Sequence, residues 1–167
     1  SHYVCSVLAS RLMVPRKEGL IVNISSFGGL EYAWFANDVA YGVGKAALDR
    51  LGSDMAHELK KHNVCCVTLW PGTVRTELVG DRPGFENGET PEFTGRCVVA
   101  ISENLDAIFP ARTGRVLLST ELAKEFHFTD LDGKLPNSHP EDLREKMATP
   151  PRHWVLKGGE KYLTSKI

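Results

Sequence analysis

Apolar and polar positions alternate along this chain in blocks that predict a repeating order of helix and strand. Near the start, Val4, Leu8 and Leu12, joined by Cys5 and Ala9, recur at spacings of three and four, the period of one helix face. The run Pro15-Arg16-Lys17-Glu18-Gly19 should stop that helix, because proline and glycine break helical patterns. Leu20-Ile21-Val22-Asn23-Ile24 then reads as a strand apolar enough to be covered on both faces. Residues 41–61 form an amphipathic helical pattern with Ala47, Leu48, Leu51, Met55 and Leu59 as its apolar stripe.

A second interior strand is expected over 64–70, closed by Pro71-Gly72. Residues 77–93, rich in Gly, Pro, Glu and Asp, read as a mobile flap; a helix resumes over 94–101, and 114–119 supply a third strand. From about Asp130 the chain is polar and proline-punctuated, a tail expected to wrap the surface with Trp154, Val155, Leu156 and Tyr162 as anchors. Strand, helix and strand with short connections predict an α/β fold with a parallel sheet. In such sheets ligands bind beyond the carboxyl ends of the strands, where Ser26 and residues 71–76 both fall.

Composition narrows the picture. The chain has 167 residues, 42% of them hydrophobic, which suits one folded domain. Twenty basic and 21 acidic side chains give a formal charge of −1, without a basic block to draw the chain onto nucleic acid. No stretch of 18 apolar residues and no signal peptide is seen, so the visible chain is expected to be soluble. Cys5, Cys65, Cys66 and Cys97 lack CxxC spacing and read as free thiols, two of them inside a strand. The six histidines show no metal-ligand clustering, so no metal is assigned. Asn23-Ile24-Ser25 matches a glycosylation sequon but sits in a strand expected to be buried.

The chemistry concentrates at Tyr41 and Lys45, four apart in Tyr41-Gly42-Val43-Gly44-Lys45. That spacing puts phenol and ammonium on one helix face, about one turn apart. Tyrosine alone is a poor base, with a reference pKa near 10, and a neighbouring cation favours its ionised form. Ser26, after the first strand, could donate to an oxygen on which negative charge develops. Taken singly these residues have plainer readings. Tyr41 and Lys45 could be a surface pair, Ser26 a turn or cap residue, and Thr76 before Glu77 the cap of a following helix.

Asn23-Ile24-Ser25-Ser26, Tyr41 with Lys45, and Pro71-Gly72-Thr73-Val74-Arg75-Thr76 stand in an order that resembles the short-chain dehydrogenase/reductase family. The resemblance implies the C-terminal half of a Rossmann-like, doubly wound parallel sheet over 1–130, with 131–167 a polar tail packed on it. It implies Tyr41 as general acid or base, Lys45 as the group that supports its ionisation and holds the nicotinamide ribose, and Ser26 as the ligand of the substrate oxygen. Pro71, Gly72, the backbone of Val74 and the Thr76 hydroxyl would line the dinucleotide, with Tyr41 and Lys45 also touching it.

The cofactor would be NADP(H) or NAD(H), since the glycine-rich motif and the discriminating residue would lie upstream, as would a catalytic asparagine. The expected activity is hydride transfer between NAD(P)(H) and a small carbonyl or alcohol; the alternative is a truncated, noncatalytic fragment or binding scaffold. On either reading the isolated 167 residues are expected to be poorly active or inactive and of low stability. By resemblance the location is the cytoplasm or the cytosolic face of the endoplasmic reticulum, with a homodimer and peripheral membrane association left open. Ser26 and Tyr41 lie 15 positions apart, slightly more than the family's usual spacing, and the surplus is expected to bulge over 31–39.

Overall fold

The computed structural model describes residues 1–30, 38–79 and 85–148. Its elements run α1 (His2–Arg16), β1 (Gly19–Ile24), α2 (Val39–Leu59), β2 (Val64–Trp70), α3 (Pro91–Glu103), α4 (Leu105–Ile108), β3 (Val116–Leu118), α5 (Ser119–Glu125) and α6 (Leu143–Ala148). The strands form one parallel sheet in the order β1-β2-β3, with Gly19 opposite Val64 and Thr68 opposite Val116.

All seven residues of β2 are buried, because this central strand is covered on both faces. On one face Cys65, Val67 and Leu69 meet Phe93, Cys97 and Ile101 of α3 and Leu122 of α5. On the other, Val64 and Cys66 meet Ala56 and Leu59 of α2, with Met13 and Val14 of α1 alongside. Helices on both faces of a parallel sheet are the doubly wound arrangement expected from the sequence.

Several sequence expectations need correction. Helix α1 runs through Pro15 and ends at Lys17, whose left-handed backbone (φ 53°) lets its N–H donate to the Met13 and Val14 carbonyls. Its expected core face is outside: Val4, Leu8 and Leu12 are 58%, 53% and 72% exposed, while Ser6 is buried. The buried line of α2 is Leu48, Gly52, Ala56 and Leu59, rotated from the expected stripe; Ala47 is exposed. Gly52 explains the rotation, since a Cβ there would collide with Thr68 Oγ1 of β2. A hydrogen-only side chain lets the helix lie close to the sheet.

The stretch read as a flap is anchored at its later end. Val74 forms a parallel bridge with Glu89, which is fully buried, and α3 starts at Pro91 rather than 94. Thr90 caps α3 by accepting the Phe93 N–H at 3.2 Å, a side-chain acceptor for one of the first orphan donors. The third strand is shorter than expected, with Ser119 already in α5. Past Asp130 the chain also reaches the core, where Leu143 joins Phe27, Trp70 and Leu118. Trp154, Val155, Leu156 and Tyr162 lie outside the described residues, as do residues 31–37 of the bulge expected over 31–39; Asp38 and Val39 already belong to the start of α2.

Candidate active site

The site is assembled at the carboxyl ends of β1 and β2, where each strand leaves the sheet toward a helix. Ser25 N–H donates to the Leu69 carbonyl at 2.9 Å, so the two strand ends stay joined one residue beyond β1. Ser26 then adopts an extended backbone and caps a single 3₁₀ turn over Phe27–Gly29. Its hydroxyl oxygen accepts the Gly28 N–H at 3.1 Å. A hydroxyl that accepts one bond still has its proton to donate.

That turn lies directly on the first half of α2. A Cβ built on Gly29 would fall 2.7 Å from Ala46 N and 2.9 Å from the Lys45 carbonyl carbon. Only a glycine allows this approach, and it carries the Ser26 turn onto the helix segment that presents Tyr41 and Lys45. Ser25, the other serine of the pair, points elsewhere and donates to the Lys45 carbonyl at 3.2 Å.

Helix α2 begins under Asp38, whose Oδ1 accepts the Tyr41 N–H at 3.0 Å, an N-cap that fixes Tyr41 in the first turn. Lys45 Nζ sits 5.5 Å from the centre of the Tyr41 ring and donates to the Ile24 carbonyl at 3.2 Å. The ammonium is therefore held between the phenol and the end of β1. Burial lowers the Lys45 pKa, and the charge of Asp49 opposes that shift.

Asp49 is the residue that sequence reasoning missed. It lies one further turn along the same face, so Tyr41, Lys45 and Asp49 form a line at i, i+4 and i+8. That spacing was the available signal. Its Oδ1 accepts the Trp70 indole N–H at 2.9 Å. Burial raises its pKa to about 6, held back by the hydrogen bond from Trp70, by the neighbouring Ser25 hydroxyl and by the Lys45 charge.

Residues 71–76 follow β2 directly. Gly72 N–H donates to Glu89 Oε2 (3.1 Å), Thr73 N–H to the Ser138 carbonyl (2.8 Å), Arg75 N–H to the Glu89 carbonyl (2.9 Å) and Thr76 N–H to the Val74 carbonyl (2.9 Å). Thr76 caps no helix; its carbonyl accepts the Val79 N–H in a turn, and among the described residues the next helix is α3. Behind the loop, His139 bridges the Trp70 carbonyl through Nε2 and the Thr120 hydroxyl through Nδ1, both at 3.1 Å. The carbonyl requires Nε2 to donate, and burial lowers the His139 pKa in keeping with a neutral ring.

The structure thus brings Ser26, Tyr41 and Lys45 together on two segments in contact, with residues 71–76 on the neighbouring strand end. A half-buried cation beside a phenol, with hydroxyl and backbone donors nearby, can move a proton and stabilise a developing oxyanion.

Known proteins resemble the chain in sequence and in fold. A family model described as short chain dehydrogenase matches residues 1–86. Over 149 residues the chain is 44% identical to dehydrogenase/reductase SDR family member 1 of Mus musculus and, equally, of Homo sapiens, covering 80% of this chain and 46% of either relative. The chain spans about half the length of these curated relatives. Among solved structures, a 4-hydroxyisoleucine dehydrogenase complexed with NADH superposes with a TM-score of 0.57 at 27% identity, covering 70% of this chain and 52% of that one.

Proposed function

This chain belongs to the short-chain dehydrogenase family, and from that premise we propose that its parent protein is a nicotinamide-dependent oxidoreductase acting on a small carbonyl or alcohol. The observation that carries the reading is the placement of Lys45 Nζ between the Tyr41 ring and the Ile24 carbonyl, beside the strand end that leads into residues 71–76.

The residues fit a nicotinamide dinucleotide. Lys45 offers an ammonium, Thr76 a hydroxyl, and the Val74 N–H donates to no protein acceptor among the described residues. These donors suit ribose hydroxyls and a carboxamide oxygen. Lys45, Tyr41, Pro71, Gly72, Val74 and Thr76 are the residues we assign to holding it; NAD(H) and NADP(H) are both candidates. When bound, the nicotinamide supplies or accepts the hydride.

The chain's own residues handle the oxygen and the proton. In the reductive direction Ser26 donates a hydrogen bond to the substrate carbonyl oxygen, and Tyr41 passes its phenolic proton to that oxygen as negative charge develops. Lys45, whose Nζ is 5.5 Å from the centre of the Tyr41 ring, would stabilise the phenol oxygen once the proton has left. In the oxidative direction Tyr41 takes the alcohol proton. Buried Phe27 and Trp70 flank the strand ends and keep water from the base of the site.

Titrating the full-length protein with NADH and NADPH, followed by assay on a panel of small carbonyls, tests this reading. Dinucleotide binding and a turnover that depends on Tyr41 are expected. Binding of neither dinucleotide would sink it and leave a noncatalytic scaffold.

A further inference from the structure

Glu89 carries a carboxylate into the interior with no side-chain surface exposed to water. Its Oε2 accepts from Gly72 N–H (3.1 Å), Ser119 Oγ (2.7 Å) and Ser138 Oγ (2.8 Å), and its Oε1 from Thr94 Oγ1 (3.0 Å). The donors come from four separate places: the loop after β2, α5, the segment before α6, and α3. Removing a carboxylate from water is costly, and an apolar side chain of similar volume often serves stability as well or better. The geometry of the donors is what a carboxylate achieves here and an apolar side chain cannot.

That geometry converges on residues 71–76. The Glu89 side chain takes the Gly72 N–H, its backbone carbonyl takes the Arg75 N–H, and its own N–H donates to the Thr73 carbonyl at 2.8 Å. Ser138, held by Glu89 Oε2, presents its carbonyl to the Thr73 N–H. It also packs so tightly on Gly72 that a Cβ there would collide with its Oγ. The amides of Gly72, Thr73, Arg75 and Thr76 therefore all have protein acceptors, and that of Val74 has none among the described residues. The network fastens the back of the loop and leaves one N–H facing away from it.

We propose that Glu89 is a positioning residue for the dinucleotide: its carboxylate fixes residues 71–76 in the one conformation that keeps the Val74 N–H available to the nicotinamide. This rests on the functional reading above and adds to it a group that never touches cofactor or substrate. Burial raises the Glu89 pKa and the four donors oppose the rise, so the network favours the ionised acceptor.

The test uses the full-length protein with Glu89→Leu and the conservative Glu89→Gln. A glutamine keeps a carbonyl oxygen for Gly72 N–H and the two serines, while its amide can donate to Thr94. Folding is checked by circular dichroism and thermal unfolding, and NADH and NADPH affinities by calorimetry. In a folded Glu89→Leu protein, dinucleotide affinity should fall at least about tenfold, the loss expected for a hydrogen bond to a charged group. The kcat at saturating dinucleotide should change far less, and Glu89→Gln should recover most of the affinity. If Glu89→Leu does not fold, Ser138→Ala carries the test, with a smaller loss of affinity expected. A folded Glu89→Leu, or in its place a folded Ser138→Ala, with unchanged affinity overturns the inference alone. Equal losses in folded Leu and Gln variants overturn it too. Wild-type protein that binds neither dinucleotide overturns the functional reading and this inference with it.

Discussion

The Trp70 indole N–H donates to Asp49 Oδ1 at 2.9 Å, joining the last residue of β2 to the helix that carries Tyr41 and Lys45. Trp70 is followed immediately by the 71–76 loop, and Asp49 lies one turn beyond Lys45. One hydrogen bond thus sets the distance between the two halves of the site. It also leaves a carboxylate, shielded from water, within electrostatic reach of the Lys45 ammonium.

Replacing Asp49 by asparagine should therefore shift the pH dependence of both stability and turnover. The folded-state pKa of Asp49 is raised to about 6, so its proton stabilises the native state at low pH and that contribution is lost as pH rises through 6. An asparagine side chain does not titrate, has no such loss and can still accept from Trp70. The variant should gain on wild type between pH 4 and pH 8, by roughly 3 kcal/mol at most. For turnover the sign is opposite. Asp49 supports the Lys45 charge against burial, so its removal should move the alkaline limb of kcat/KM to lower pH. Urea titrations from pH 4 to 8 and rate profiles extended through the alkaline limb measure the two effects, and superimposable profiles would remove Asp49 from the site.

Tyr41→Phe keeps the ring beside Lys45 and removes only the hydroxyl. Turnover should fall by at least about 100-fold, the lower range for a positioned acid–base group, with dinucleotide affinity largely retained. Lys45→Ala removes the cation from the phenol and from the Ile24 carbonyl, and should weaken turnover and dinucleotide binding together. Steady-state rates and calorimetry on the full-length variants separate the two patterns. Wild-type turnover in Tyr41→Phe would mean another group handles the proton.

Two glycines at the same contact should respond oppositely to alanine. At Gly29 the new Cβ would press on the backbone of Lys45 and Ala46, which cannot move without displacing α2. Gly29→Ala should cost about 1–3 kcal/mol and lower kcat/KM by shifting the Ser26 turn. At Gly42 the nearest atom to a new Cβ is the Gly28 carbonyl oxygen at 3.5 Å, an ordinary contact. Gly42→Ala should stabilise the helix by about 0.5–1 kcal/mol. Chemical denaturation of the pair is decisive, because equal losses would mean that helix flexibility, rather than the close approach at Gly29, governs this region.

The sheet was legible because its strands are near-continuous apolar runs, and β2 is buried along its whole length. The Tyr41–Lys45 pair was legible because a helix repeats its face every four residues. What the pattern concealed depended on neighbours distant in sequence. Leu8 and Leu12 look like core positions by period, yet α1 turns Met13 and Val14 to the sheet instead. Glu89 sits in a stretch whose polar composition suggested a flap, because composition does not reveal that Gly72, Thr94, Ser119 and Ser138 will surround it. Asp49 continues the spacing of Tyr41 and Lys45, but its partner Trp70 lies 21 residues further along the chain.

The stretch past Asp130 gives the last prediction, because its role differs from that of a surface tail. Leu143 is 1% exposed and packs with Phe27, Trp70 and Leu118, so α6 covers the ends of β2 and β3 and the Ser26 turn together. Truncating it to alanine should cost about 2–5 kcal/mol, the range for a buried leucine whose surroundings only partly collapse. Because Phe27 follows Ser26 directly and Trp70 leads into the 71–76 loop, the cavity lies under both halves of the site. Leu143→Met, which keeps the volume, should cost less than about 1.5 kcal/mol. Leu143→Ala should therefore also lower dinucleotide affinity in the fraction that stays folded, whereas Leu143→Met should preserve it. Thermal unfolding and calorimetry on the two variants give the answer; an alanine variant as stable as the methionine one would show that α6 does not close this core.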